Sequence, residues 1–175
     1  MTNIPSEIID IFLRPGDTYF GNRNHRIRTM LGSCVAIVFW HQRLCLGGMC
    51  HFMLPTSGAR KPTQKLDGRY ADEAVLLLMH EMKKHGAPHT EYKAKIFGGG
   101  DMFSTLNMPS GLDIGQQNIE AAKKLIIGHG FDCIAHHLGG YGHRNVIFNV
   151  WNGDVWMRHN HGESKASHSS IWSFD

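Results

Sequence analysis

The strongest constraint in this chain is a pair of apolar runs parted by three polar residues. Val35-Ala36-Ile37-Val38-Phe39-Trp40 is followed by His41-Gln42-Arg43 and then by Leu44-Cys45-Leu46-Gly47-Gly48-Met49. Short β-branched and aromatic runs on either side of a polar break read as two strands of a hairpin. A hairpin brings its open ends together. Here the ends are Thr29-Met30-Leu31-Gly32-Ser33-Cys34 on entry and Cys50-His51-Phe52-Met53-Leu54-Pro55 on exit, so the chain folds His51 back beside Cys34. Cys34 follows a Gly-Ser pair and precedes the buried run, where a tight turn enters a strand and backbone N–H groups can point at a ligand. A thiol so placed is a candidate nucleophile, and the imidazole a candidate base. Taken alone, a cysteine in such an apolar run is more often an inert core residue.

Around the hairpin the chain alternates strand and helix signals. Ile8–Leu13 reads as a first strand stopped by Pro15-Gly16-Asp17, and Tyr19-Phe20 and Ile27-Arg28-Thr29 lead toward Cys34. Ala71, Ala74, Val75, Leu78, Met79 and Met82 fall at three-and-four spacing, which predicts an amphipathic helix over 70–85 that ends at Gly86 and cannot resume through Pro88. Lys93–Phe97 is a short strand that delivers Gly98-Gly99-Gly100, too permissive for a helix or strand interior and lacking the Gly-Lys-Ser/Thr of a phosphate loop. Asp113 with Gln116 resembles a capping box, and Ile119, Ala122 and Ile126 continue a second amphipathic helix to Gly128. Phe131–Ala135 is a strand, with His136–Gly140 as a candidate rim for a site. Asn152-Gly153 between two apolar runs is a hairpin turn. The expected architecture is α+β, with mixed β-sheets and both helices packed on an outer face. Residues 1–158 form the single domain expected, and 159–175 a polar, His- and Ser-rich tail expected to be mobile, although its Ile171, Trp172 and Phe174 can dock on the body or on a partner.

At 175 residues, 42% apolar and 19% charged, the chain is long enough to bury a core without disulfides or metal. Its net charge of +3 comes from scattered basic residues, which argues against a nucleic-acid or membrane-surface binder. No apolar run is long enough to span a bilayer and no leader pattern opens the sequence, so a cytoplasmic protein with reduced cysteines is expected. Thirteen histidines raise a metal site as the competing reading, built from Cys133, His136, His137 and His143, or from Cys45, Cys50 and His51. Neither group has paired Cys-x-x-Cys or His-x-x-x-His ligands, and no metal or cofactor is expected.

Leu31-Gly32-Ser33-Cys34-Val35-Ala36 followed by His51-x-Met53-Leu54-Pro55 resembles the CheD family of chemoreceptor glutamine deamidases. Arg69-Tyr70-Ala71-Asp72, Gly98-Gly99-Gly100 with Met102-Phe103, Ile114-Gly115-x-x-Asn118, and Gly139-Gly140 with Arg144 match in the same order, so the resemblance runs from about Asp17 to Met157. It implies a cysteine-hydrolase fold like the catalytic domain of cytotoxic necrotizing factor toxins. It also implies an amidohydrolase that converts glutamines on the cytoplasmic helices of methyl-accepting chemotaxis receptors to glutamate, in some members also cleaving glutamate methyl esters. Cys34 would be the nucleophile, its pKa lowered by the His51 imidazolium and by backbone N–H groups, and His51 the acid and base of a thioester route. The resemblance supplies Thr29 to orient His51, though Thr29 equally fits an ordinary strand residue. Gly98, Gly99 and Gly100, with the turn residue Ser33, are candidates for holding substrate or oxyanion. The implied partners are the receptors and, in some bacteria, the phosphatase CheC. A non-catalytic receptor- or CheC-binding adaptor is the alternative, and would need no reactive cysteine.

Overall fold

The computed structural model describes residues 4–61, 63–102, 113–161 and 169–174. In chain order these form β1 (Ile9–Leu13), β2 (Thr18–Gly21), β3 (His25–Leu31), β4 (Val35–His41), β5 (Leu46–Phe52), α1 (Ala71–Lys84), a 3-10 turn (His89–Glu91), β6 (Lys93–Gly98), α2 (Ile114–Gly128), β7 (Asp132–Leu138), β8 (His143–Asn149), β9 (Val155–Asn160) and β10 (Ser169–Phe174). Two five-stranded mixed sheets result, one ordered β1-β3-β8-β9-β10 and the other β2-β5-β4-β6-β7. Each contains one parallel pair, β1 with β3 and β6 with β7.

The second sheet is the central layer. Val35, Ile37 and Phe39 of β4 pack with Ala74, Val75 and Leu78 of α1 and Ile119, Ala122 and Ile126 of α2. On its other face, Ala36 and Val38 pack with Ile27, Leu31, Val146 and Phe148 of the first sheet. Burial on both faces explains why β4 is apolar at successive positions instead of alternating. Each fully buried large apolar side chain contributes about 1.5–3 kcal/mol. The expected α+β class, the mixed sheets and the placing of both helices on an outer face are thus observed.

Helix boundaries follow from local chemistry. At the start of α2 the Asp113 carboxylate accepts the Gln116 N–H at 2.9 Å, while the Gln116 side chain reaches forward to Glu120 rather than back, so the box is half made. At the other helix, Glu73 is the one acidic residue on the buried face of α1, and it accepts from the Ser57 hydroxyl and the Asp67 N–H, both at 2.6 Å. Those two bonds hold its carboxyl below the usual carboxylate range and anchor the polar loop after β5.

Three local expectations are corrected. The expected mobile tail from residue 159 instead begins inside β9 and contains β10, whose Ser169–Phe174 pairs antiparallel with Val155–Asn160. Its anchor is the buried Lys95 of β6, whose ammonium donates to the Phe174 carbonyl at 2.7 Å and the Gly153 carbonyl at 3.0 Å. Phe174 packs on the core between the sheets. Residues 162–168 of that tail, and Phe103 of the glycine motif, lie outside the described residues. Second, the strand expected over Phe131–Ala135 runs further: β7 is Asp132–Leu138, and His136–Leu138 pair with Ile96–Gly98. Third, Cys45 is not within a strand but in the β4–β5 turn at φ 47°.

Candidate active site

The β4–β5 hairpin forms with Val35 opposite Phe52 and Ala36 opposite His51. Residues directly opposite share a face, so His51 points with Ala36 into the layer between the sheets. Cys34, two residues before Ala36 and just outside the ladder, packs against that same layer. Cys50 leaves the opposite face and packs under the helices, which separates it from His51 and removes the Cys45-Cys50-His51 metal alternative. Among the described residues no three His, Cys, Asp or Glu side chains are grouped to hold a metal ion.

Thr29 arrives from the other sheet. It sits on β3 with Ile27 and Leu31 facing inward, and its Oγ1 lies 2.7 Å from His51 Nδ1 and 2.9 Å from the Leu13 carbonyl oxygen. A hydroxyl has one proton and a carbonyl can only accept, so Thr29 donates to Leu13 and accepts from the Nδ1–H of His51. That fixes the tautomer: Nε2 carries the lone pair, and it is buried with no hydrogen-bond partner. Further bonds hold His51 from its backbone, its N–H donating to Asp17 O at 3.0 Å and its carbonyl accepting from Gly16 N–H at 2.7 Å.

Burial sets the electrostatics. Desolvation pushes the Cys34 thiol above its ordinary range, and pushes His51 down to about 4 against the smaller opposing pull of the Asp17 charge. Both shifts favour the uncharged forms, the opposite direction from the expected thiolate beside an imidazolium.

The glycines brace the nucleophile rather than face a ligand. Gly99 N–H donates to Cys34 O at 2.8 Å and Gly100 N–H to Gly32 O at 2.9 Å, so neither amide is available for an oxyanion as the sequence suggested. Gly98 pairs with Val35 at the end of β6 and its carbonyl accepts from Gly139 N–H at 3.0 Å. Among the described residues no backbone carbonyl accepts the N–H of Cys34. Ser33 is half-buried, and its carbonyl accepts from the Asn118 amide. Arg144 of β8 is wholly buried under the same glycines, its Nε donating to His137 Nδ1 at 3.0 Å and Nη2 to the Gly139 carbonyl. Asn118 is the residue of this neighbourhood to which sequence reasoning gave no role. Its signal was a polar side chain on the stripe Gly115, Asn118, Ile119, Ala122, where a helix buries apolar groups.

Comparison with known proteins identifies the family. The family described as CheD chemotactic sensory transduction matches residues 53–159, more than half of the chain. Similar proteins include the probable chemoreceptor glutamine deamidase CheD 2 of Albidiferax ferrireducens, 50% identical over 149 residues and covering 85% of this chain and 86% of that one. The probable chemoreceptor glutamine deamidase CheD of Pseudomonas savastanoi pv. phaseolicola is 47% identical over 158 residues, 90% of this chain and 88% of that one. Among solved structures, the Bacillus licheniformis hypothetical protein YfiH covers 69% of this chain and 50% of that one at 14% identity and a TM-score of 0.44, too distant to carry an argument. The family match opens two residues after His51 and so does not include Cys34, His51 or Thr29. By the extent of these matches, the chain belongs to the CheD family.

Proposed function

We propose that this chain is a protein-glutamine deamidase that hydrolyses glutamine side chains on the cytoplasmic helices of methyl-accepting chemotaxis receptors to glutamate and ammonia. The names of its relatives support the substrate class. The observation that carries the mechanism is the Thr29–His51 hydrogen bond, because it leaves Nε2 as a free base on the face shared with the Cys34 thiol. Cys34 Sγ attacks the side-chain carbonyl as its proton passes to Nε2, and the oxyanion takes the N–H of Cys34. His51 then returns that proton to the departing nitrogen, ammonia leaves, and a thioester remains. Nε2 next accepts a proton from water as the water attacks the thioester; collapse expels the thiolate, which His51 reprotonates, and releases the carboxylic acid. The same sequence accepts a methyl ester, with methanol leaving in place of ammonia. Where a CheC phosphatase is present it is the second partner proposed. Neither helix is long and apolar enough to cross a membrane, and a receptor's cytoplasmic helices are reached from the cytoplasm.

The test is intact-mass analysis of a receptor cytoplasmic fragment after incubation with the protein. Conversion of glutamines by the amide-to-acid increment, located by peptide mapping, supports the proposal; a fragment that is bound and never modified replaces it with the adaptor reading.

Thr29→Val keeps the shape of the side chain and removes the acceptor for Nδ1–H. The expected result is a fall in kcat of about 10- to 100-fold with KM little changed, since an unsatisfied buried partner costs about 1–3 kcal/mol. Thr29→Ser should recover most of the loss, and wild-type kcat in the valine variant would show that Thr29 is an ordinary strand residue.

The pH profile follows from burial of His51. The base works only when neutral, so activity is present above its pKa and lost as pH falls through it; with that pKa pushed down to about 4, kcat/KM should stay level across the mildly acidic range and decline only toward pH 4. An acid limb centred near the ordinary histidine value would instead show that His51 is not desolvated in the working enzyme.

A further inference from the structure

Asn118 has the geometry of a clip across the open end of the catalytic hairpin. Its side chain is fully buried on α2, and its Nδ2 donates to the Met53 carbonyl at 2.8 Å and the Ser33 carbonyl at 3.2 Å. Both partners can only accept, so the NH2 group must face them. Its Oδ1 is buried with no partner, a desolvation cost that a same-sized apolar side chain would avoid. The two donors therefore account for an amide at this place.

The clip sits where the ladder stops. The last rung of the hairpin at this end pairs Val35 with Phe52, and one more would pair Cys34 with Met53. Instead the chains part: the Met53 N–H donates to Arg69 O at 2.9 Å, and the Cys34 carbonyl accepts from Gly99 N–H. One amide on α2 joins the residue before the nucleophile to the residue two beyond the base.

We infer that Asn118 is a positioning residue that holds Cys34 in line with His51 Nε2 while leaving the Cys34 N–H unoccupied. This rests on the reading of Cys34 and His51 as nucleophile and base. A purely structural role, fastening α2 to the sheet, would affect stability and leave the reactivity of the thiol unchanged.

Asn118→Leu keeps the size without donors, and Asn118→Asp keeps the shape with acceptors only when ionised. For both, thermal unfolding is measured beside the site-resolved rate of iodoacetamide alkylation at Cys34 and at the exposed Cys133, and beside kcat and KM on the receptor fragment. In a folded variant, kcat is expected to fall about 10- to 100-fold at similar KM, the scale of a misaligned reacting pair. Alkylation of Cys34 should slow to the rate of the His51→Ala variant while Cys133 reacts as in the wild type. Wild-type alkylation of Cys34 in a folded variant overturns the inference, as does failure of both variants to fold. If the wild-type protein never modifies the receptor, the proposed function fails, and the alkylation rates still decide the role of Asn118.

Discussion

Cys34→Ala is expected to abolish conversion of receptor glutamines, lowering kcat by at least about 10⁴-fold, while binding of the receptor fragment persists. Among the described residues no other thiol is placed to take over the attack. Cys50 lies on the far face under the helices, Cys133 is exposed on the edge strand β7, and Cys45 is in the turn at the opposite end of the hairpin. Water is left without the covalent step, and His51 without the thiol whose proton it accepts. The substitution removes one half-buried sulfur, so stability should change by only about 1 kcal/mol. A folded Cys34→Ala protein that still deamidates at a measurable fraction of the wild-type rate would remove Cys34 as the nucleophile; intact-mass analysis with equal enzyme loading reads the difference directly.

Gly99→Ala is expected to destabilise the strip that supports the nucleophile. Gly99 has φ 69°, left-handed backbone that costs an alanine about 1–2 kcal/mol. Its added Cβ would stand 2.7 Å from the Gly115 carbonyl oxygen and collide with the Ile119 side chain, an overpacking cost of about 1–3 kcal/mol more. Relief requires the glycine strip to move, and the Gly99 N–H that supports the Cys34 carbonyl moves with it. The expected outcome is a drop in melting temperature of roughly 10 °C together with slower alkylation of Cys34. Gly128→Ala at the end of α2 is the control, because a Cβ there meets nothing within 4 Å and the residue has ordinary helical backbone. Equal melting temperatures for the two variants would show that the strip tolerates side chains.

What could be read from the sequence was whatever is local. The β4–β5 hairpin, the two amphipathic helices and the Asp113 cap depend on residues within a few positions of one another and are found where their patterns put them, whereas the turn at Asn152-Gly153 is wider than a two-residue one, with β8 ending at Asn149 and β9 beginning at Val155. The division into two sheets was not readable. Thr29 and Val35 are close in sequence yet belong to different sheets, because β3 takes its partner from Val146 and its neighbours, more than a hundred residues on. That distant pairing is what lets a threonine face a histidine across the layer rather than along a strand. The glycine run was readable as a close approach, but what it approached, the Cys34 and Gly32 carbonyls, was not. Burial of His51 and partial burial of Cys34 depend on the same stacking, so the direction of their pKa shifts was equally out of reach. The tail was judged by its polar composition, which gave no hint that Lys95, in a strand otherwise apolar at its centre, would fasten Phe174.

The division of the site between two sheets has a consequence for the order in which a newly made chain acquires its parts. Thiol and imidazole emerge from the ribosome within eighteen residues of each other, on one hairpin. The threonine has emerged still earlier, but the strand that carries it finds its antiparallel neighbour only when residues 143–149 have been synthesised. During most of translation the hairpin thus carries a sulfur and a ring whose proton has no assigned nitrogen. Chemical competence is a property of the nearly finished chain, conferred by its last third.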